Sequence, residues 1–115
     1  MIHIGLTGWG DHPAIHEQND MYKNKLAAYA SHFPVVELDA AFYSIMSQEQ
    51  YDRWEKQTPR NFSFVVKAFQ GFTGHDRQHY TRKDVKSMID EYKNGLTPLI
   101  NKIIKLYFIS ISTLV

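Results

Sequence analysis

An α/β protein built on a parallel sheet is predicted, and three observations carry that prediction. Strand-like stretches recur at residues 2–7, 35–39 and 62–67. The segments between them place apolar residues at helical spacing. Each helical segment hands the chain to a new strand, an order that implies right-handed crossovers between parallel neighbours and a sheet covered by helices.

Residues 2–7 alternate with period two, Ile2, Ile4 and Leu6 on one face and His3, Gly5 and Thr7 on the other. A polar loop follows to Asn19. Asn19 and Asp20 then supply a cap for a helix whose Leu26, Tyr29, Ala30 and Phe33 fall on one stripe, with Pro34 as its stop. The second strand follows at once over 35–39. Ser47 and Gln50 have capping-box spacing, Tyr51 and Trp54 form an apolar stripe, and Pro59 closes this second helix. The third strand occupies 62–67. Beyond a loop over 70–80, Val85, Met88, Ile89 and Tyr92 predict a third helix, with Gly95 as a stop and Pro98 opening a further turn. A fourth strand is expected at 106–112. No internal repeat and no linker divides the chain.

With 115 residues, 43% of them hydrophobic and 14% aromatic, the chain suits one small domain with a core and is too apolar for disorder. A net charge of +1 gives no electrostatic support for nucleic acid or an anionic membrane as partner. The loose cluster of Arg77, Arg82, Lys83 and Lys86 fits a solvated loop and helix face better than a phosphate footprint. The absence of cysteine excludes disulfides, thiolate zinc sites and a cysteine nucleophile. No secretory signal pattern opens the chain, so a cytoplasmic protein is expected. Residues 103–115 are apolar but short of the ~20 needed to span a bilayer, and Lys105 interrupts them.

Glu37, Asp39 and Lys67 stand out because they lie in stretches that otherwise resemble buried strands. A charge in a core costs roughly several kcal/mol unless partners hold it. Setting the apolar faces Ile2/Ile4/Leu6, Val36/Leu38 and Phe62/Phe64/Val66 against helices leaves His3/Gly5/Thr7, Val35/Glu37/Asp39 and Ser63/Val65/Lys67 opposite. That second face is polar in all three strands, and its charges lie toward the C-terminal ends of the second and third. This is the pattern of the inward face of a βα-barrel, whose sites form at strand C-termini.

The following loops carry Gly8-Trp9, Phe42-Tyr43 and Thr73-Gly74-His75-Asp76-Arg77, residue types that bind ligands. The candidate site is therefore Glu37 or Asp39 as acid, base or ligand, with Lys67 and His75 as anion or proton partners. Thr7, Trp9, Tyr43 and Thr73 are candidate ligand contacts, Trp9 and Tyr43 as walls. The competing structural reading is a buried ion pair of Lys67 with Glu37 or Asp39 and aromatics that belong to the core. A metal is the weaker idea and none is assigned: His12 and His16 are four apart but enclose Pro13 in a polar loop, and Glu37, Asp39 and His75 could form part of a carboxylate-histidine site but match no local ligand spacing, so metal dependence and cofactor stay open. No cofactor is indicated, for neither a Gly-rich phosphate loop nor a Ser-His-Asp signature is present.

Several blocks in order resemble one family. Gly5-Leu6-Thr7-Gly8-Trp9, Tyr29-Ala30-Ser31-His32-Phe33, Val36-Glu37-Leu38-Asp39 with Phe42-Tyr43, Trp54 with Thr58-Pro59, Phe62-Ser63-Phe64 with Lys67, and Thr73-Gly74-His75 look like successive blocks of the YecE-like family, domain of unknown function 72. The resemblance spans roughly residues 2–100. It implies a TIM-type (β/α)8 barrel and no established activity. By fold analogy with sugar isomerases and apurinic-site endonucleases, it implies a small-molecule ligand bearing a phosphate or sugar.

A closed barrel takes ~250 residues, so this chain is expected to supply only its N-terminal three to four βα units, as a truncated member. Residues 1–100 would be that portion and 101–115 an aberrant tail. The family continues with a strand ending near Phe-Gln-Phe-Pro-Pro-Trp-Phe, where this chain has Ile109-Ser110-Ile111-Ser112-Thr113-Leu114-Val115. Back-translated as ATT TCA ATT TCC ACC TTG GTT and taken one nucleotide on, that tail gives Phe-Gln-Phe-Pro-Pro-Trp. A frameshift near Asn101 to Lys105 is the hypothesis, and the codons of the gene test it. Three functions stay open: an enzyme acting at the strand ends, a non-catalytic barrel with Glu37 and Lys67 as structural pair, and a fragment without function.

Overall fold

Apolar residues at every second position of 62–66 become the middle of a four-stranded sheet in the computed structural model, which describes residues 2–16, 24–73 and 80–107. The elements run β1 (Leu6–Thr7), α1 (Pro13–His16), α2 (Lys25–Ala30), β2 (Val35–Leu38), α3 (Ala40–Tyr43), α4 (Gln48–Lys56), β3 (Ser63–Lys67), α5 (Gln70–Thr73), α6 (Arg82–Leu96), a 3-10 helix (Thr97–Lys102) and β4 (Ile103–Tyr107). The strands lie in sequence order and every neighbouring pair is parallel. The protein is thus α/β on a parallel sheet.

Phasing of β2 and β3 agrees with the sequence. Val36, Leu38, Phe64 and Val66 are buried, and they pack with Leu26 and Tyr29 of α2, Tyr51 and Trp54 of α4, and Tyr92 and Leu96 of α6. The other face carries Glu37, Val65 and Lys67, all only partly covered.

β1 departs from expectation. Only Leu6 and Thr7 pair, and Ile2 and Ile4 are 89% and 70% exposed rather than packed on helices. Two local causes are visible. The register Leu6↔Val36, carried back two residues, sets Ile4 beside Pro34, which has no N–H for a ladder. At the same point the Tyr29 hydroxyl accepts from the Leu6 N–H and donates to the Val35 carbonyl, both at 2.7 Å, and so stands in for a strand-to-strand bond. Gly5 fits here because a Cβ would collide with the Val35 carbonyl oxygen.

Other boundaries also move. β4, described over Ile103–Tyr107, starts three residues ahead of the expected 106, because the turn opened by Pro98 runs as 3-10 helix to Lys102 and releases extended chain at once. Residues 108–112 lie outside the described residues, as do Asn19 and Asp20. α2 has Asn24 as its N-cap, its side chain accepting from the Ala27 N–H at 2.7 Å, and ends at Ala30 without reaching Phe33, whose ring instead stacks on Tyr29. β2 stops at Leu38, so Asp39 opens α3 instead of ending the strand.

Gly95 does not stop α6. It is buried within the helix, where a Cβ would lie 2.5 Å from the Met46 carbonyl oxygen, so glycine serves close packing. The short helices α1 and α5 fall in stretches expected to be loop. α6 itself starts from a capping box in which Thr81 and Asp84 satisfy each other's backbone N–H groups.

Candidate functional site

Parallel pairing of Leu38 with Val66 places the C-terminal ends of β2 and β3 side by side, with Asp39 following one strand and Lys67 ending the other. Because side chains alternate, Glu37 and Lys67 share the face turned away from the helical core. The Lys67 ammonium donates to Asp39 Oδ1 at 3.1 Å and lies 3.9 Å from Glu37 Oε1. It also stands 5.2 Å from the Phe42 ring centroid, a cation–π distance. Three of the predicted residues therefore meet in one cluster, with Phe42 added.

The backbone around the cluster is fixed from several directions. Tyr92 of α6 donates its hydroxyl to the Lys67 carbonyl at 2.7 Å. Gly8, at φ +68°, donates its N–H to the Glu37 carbonyl at 3.0 Å, which folds the loop after β1 onto the end of β2. That left-handed backbone favours glycine. Asp39 stands at the N-cap of α3 without capping it by its side chain, since its carboxylate is turned to Lys67.

The charges are not buried. Side-chain exposures are 30% for Lys67, 31% for Glu37 and 37% for Asp39. An ion pair this open contributes about 0–1 kcal/mol to stability. Among the described residues two carboxylates stand beside one ammonium, so the cluster carries both acceptor oxygens and N–H donors.

The remaining predicted residues lie at various distances from it. Thr7 pairs in register with Glu37 and is exposed, at the edge of a shallow depression of about 190 Å³ that Gly5, Val35, Glu37 and Val65 also line. Tyr43 is exposed and meets Phe42 edge-on at 5.1 Å, beside the cluster. Trp9 packs against the helical core, edge-on to Trp54 at 5.1 Å. Thr73 is the last residue of α5, and its side chain and His75 lie outside the described residues. Among the described residues no group of three or more His, Asp or Glu is placed to hold a metal, and His12 instead contacts the Gly8 carbonyl at 3.1 Å.

Several residues escaped sequence reasoning. Phe42 was expected in a ligand-binding loop but not against Lys67, whereas Tyr92 and Tyr29 reach their partners only through the tertiary fold. Lys102 had no local signal. It is buried at the opposite end of the sheet, where its ammonium donates to the Glu55 carbonyl at 2.9 Å and to Thr58 O and Oγ1 at 3.0 Å, and sits 3.3 Å from the Glu55 carboxylate. A cavity of about 430 Å³ lies beside it, lined by Glu55, Lys56, Thr58, Arg60, Pro98, Asn101 and Lys102. All three ammonium donors are engaged by protein oxygens, so Lys102 closes the end of α4 rather than awaiting a ligand.

Comparison with known proteins fits this geometry. The family model described as "Protein of unknown function DUF72" matches residues 3–110. The UPF0759 protein YunF of Bacillus subtilis (strain 168) is 48% identical over 101 residues, which are 88% of this chain and 36% of that protein. Two crystal structures of a DUF72 family protein from Enterococcus faecalis V583 superpose with TM-scores of 0.75 and 0.67 at 32% and 30% identity, each covering 95% of this chain and 38% of the other. The chain thus spans little more than a third of the length of the relatives it matches.

Proposed function

This chain belongs to the DUF72 family of proteins of unknown function, and from that premise we propose that it supplies the first βα units of a TIM-type (β/α)8 barrel with a ligand site at its strand C-termini. Parallel order and the match to a little over a third of longer relatives support the barrel. The site is that of a cytoplasmic enzyme on a sugar or sugar phosphate. Glu37 and Asp39 accept hydroxyl protons or act as acid and base, and Lys67 takes an anionic or developing negative oxygen.

One observation carries this reading. Lys67 is held 3.1 Å from Asp39 and 3.9 Å from Glu37 at the joined ends of β2 and β3, yet all three side chains remain about one third exposed. A brace built for stability gains little at that exposure, whereas a ligand site requires it. The cation–π contact with Phe42 favours the second reading, a non-catalytic barrel in which Lys67 is anchored for structure.

Calorimetric titration with monosaccharides, sugar phosphates and inorganic phosphate separates the two. The site reading expects one class to bind, with Lys67→Met and Glu37→Gln each weakening it about tenfold or more, a loss of about 1.4 kcal/mol, while thermal stability holds. Loss of stability in both variants with no ligand bound by the parent protein establishes the structural reading instead.

A further inference from the structure

At the N-terminal ends of β3 and β4, away from the Lys67 cluster, the cavity of about 430 Å³ brings together two polar side chains that the fold does not use. Arg60 sits in the turn joining α4 to β3, which the Phe62 N–H closes by donating to the Pro59 carbonyl at 3.0 Å. Asn101 lies in the 3-10 helix just ahead of β4. Both are exposed, both line the cavity, and among the described residues neither side chain has a hydrogen-bond or ion-pair partner.

The charges around this cavity do not cancel. Lys102, 8% exposed, is matched by the Glu55 carboxylate at 3.3 Å, and Lys56 by Asp52 at 2.8 Å. Arg60 is left as a cation without a carboxylate of its own among the described residues. The carbonyl oxygens at the end of α4, which would repel an anion, are already covered by the Lys102 ammonium. Lys102 thus neutralises one wall of the cavity and needs no bond from a ligand.

The chemistry of the lining selects the ligand. A guanidinium presents its N–H donors as a fork that matches two oxygens of a phosphate, and the amide of Asn101 adds a further donor. The volume falls in the range of small-molecule sites, about 300–1,000 Å³, and exceeds what a lone oxyanion fills. Pro98 supplies apolar surface for the rest of such a ligand.

We propose that this cavity is a second ligand site, which takes a small organic phosphate with its phosphate group on Arg60 and Asn101. It lies ~13 Å or more from the Lys67 cluster, the length of β3 from Ser63 to Lys67 at ~3.3 Å per residue, and does not depend on the strand-end reading. A ligand here ties the turn ahead of β3 to the helix ahead of β4. Its effect is on the stability of the fold, since the groups that do acid and base chemistry stand at the other end of the sheet.

Calorimetric titration with glucose 6-phosphate, inorganic phosphate and glucose tests this. It is run on the parent chain and on Lys67→Met, which separates this cavity from the strand-end site. In both, glucose 6-phosphate is expected to bind about tenfold tighter than inorganic phosphate, and glucose is expected not to bind here. Adding Arg60→Ala to either chain should weaken glucose 6-phosphate at this cavity about tenfold or more, and Asn101→Ala about threefold. Arg60→Lys keeps the charge without the fork and should recover only part of the loss. Glucose 6-phosphate should also raise the melting temperature of the Lys67→Met chain but not of the Lys67→Met, Arg60→Ala chain, whose melt without ligand is the same because Arg60 is exposed and unpartnered.

Binding that is lost in Lys67→Met and kept in Arg60→Ala overturns the proposal and assigns the phosphate to the strand-end site. Absence of binding by either phosphate overturns it as well. Equal affinity for inorganic phosphate overturns the organic ligand and leaves the free ion as the occupant.

Discussion

Tyr51 carries its hydroxyl into the core with no hydrogen-bond partner among the described residues. Burial pushes its phenol up to about 12, from an ordinary value of 10.0. Burial also raises Tyr29 and Tyr92, against the lowering effect of the Leu6 N–H on Tyr29. Unfolded tyrosines release their protons near 10 while these stay protonated, so the native state is undercut as pH rises from there. Thermal stability is therefore expected to hold up to about pH 10 and to fall between 10 and 12, with phenolate absorbance appearing as the protein unfolds. A decline that starts below pH 9 would contradict this.

Tyr51→Phe removes an unpaired group and should leave stability equal or raise it by about 1 kcal/mol. Tyr29→Phe strips a partner from both Leu6 and Val35 and should cost about 2 kcal/mol in denaturant titrations. At this scale Glu37 and Lys67 were legible in the sequence because period-two alternation assigns them to one face, whereas Asp39 reaches Lys67 from the start of α3. Tyr29 was legible only as a core residue. Its hydroxyl finds Leu6 across 23 residues of chain, a distance no local pattern encodes.

Elements differ in how much of them is local. α4 and α6 were legible from apolar spacing, for a helix of nine or fifteen residues repeats its signal over several turns. α6 also owes its start to Thr81, whose exchange with Asp84 holds that carboxyl below the usual carboxylate range. Thr81→Ala should cost about 1 kcal/mol by chemical denaturation and shift the melt accordingly.

The C-terminal end of α4 is another matter, since Lys102 arrives from more than forty residues away to bond its last carbonyls. Lys102→Met leaves the Glu55 and Thr58 oxygens without their donor in a buried place. A loss of about 2–4 kcal/mol is expected, against near-neutrality for a replacement at an exposed lysine such as Lys56. β1 is shorter than its pattern, and β4 starts earlier than expected, because both lie at the outside of the sheet or behind a turn that local pattern does not fix. Among the described residues they are the outer strands, each paired on one side.

For the molecule as a whole, the parallel α/β class and the polar face were legible because three strands repeated the same phase. Closure into the proposed barrel is carried by the family resemblance alone, since nothing local specifies which strands lie beyond an edge. The fold brings two carboxylates, an ammonium and an aromatic ring into one partly exposed place. On the proposed reading Lys67 and its carboxylates serve a ligand and contribute little to holding the sheet together.

A double-mutant cycle between Asp39→Asn and Lys67→Met, read by chemical denaturation, tests this most directly. Coupling below about 1 kcal/mol is the predicted result for a pair this exposed. Coupling of about 3 kcal/mol or more would make the pair a structural brace and contradict the ligand site.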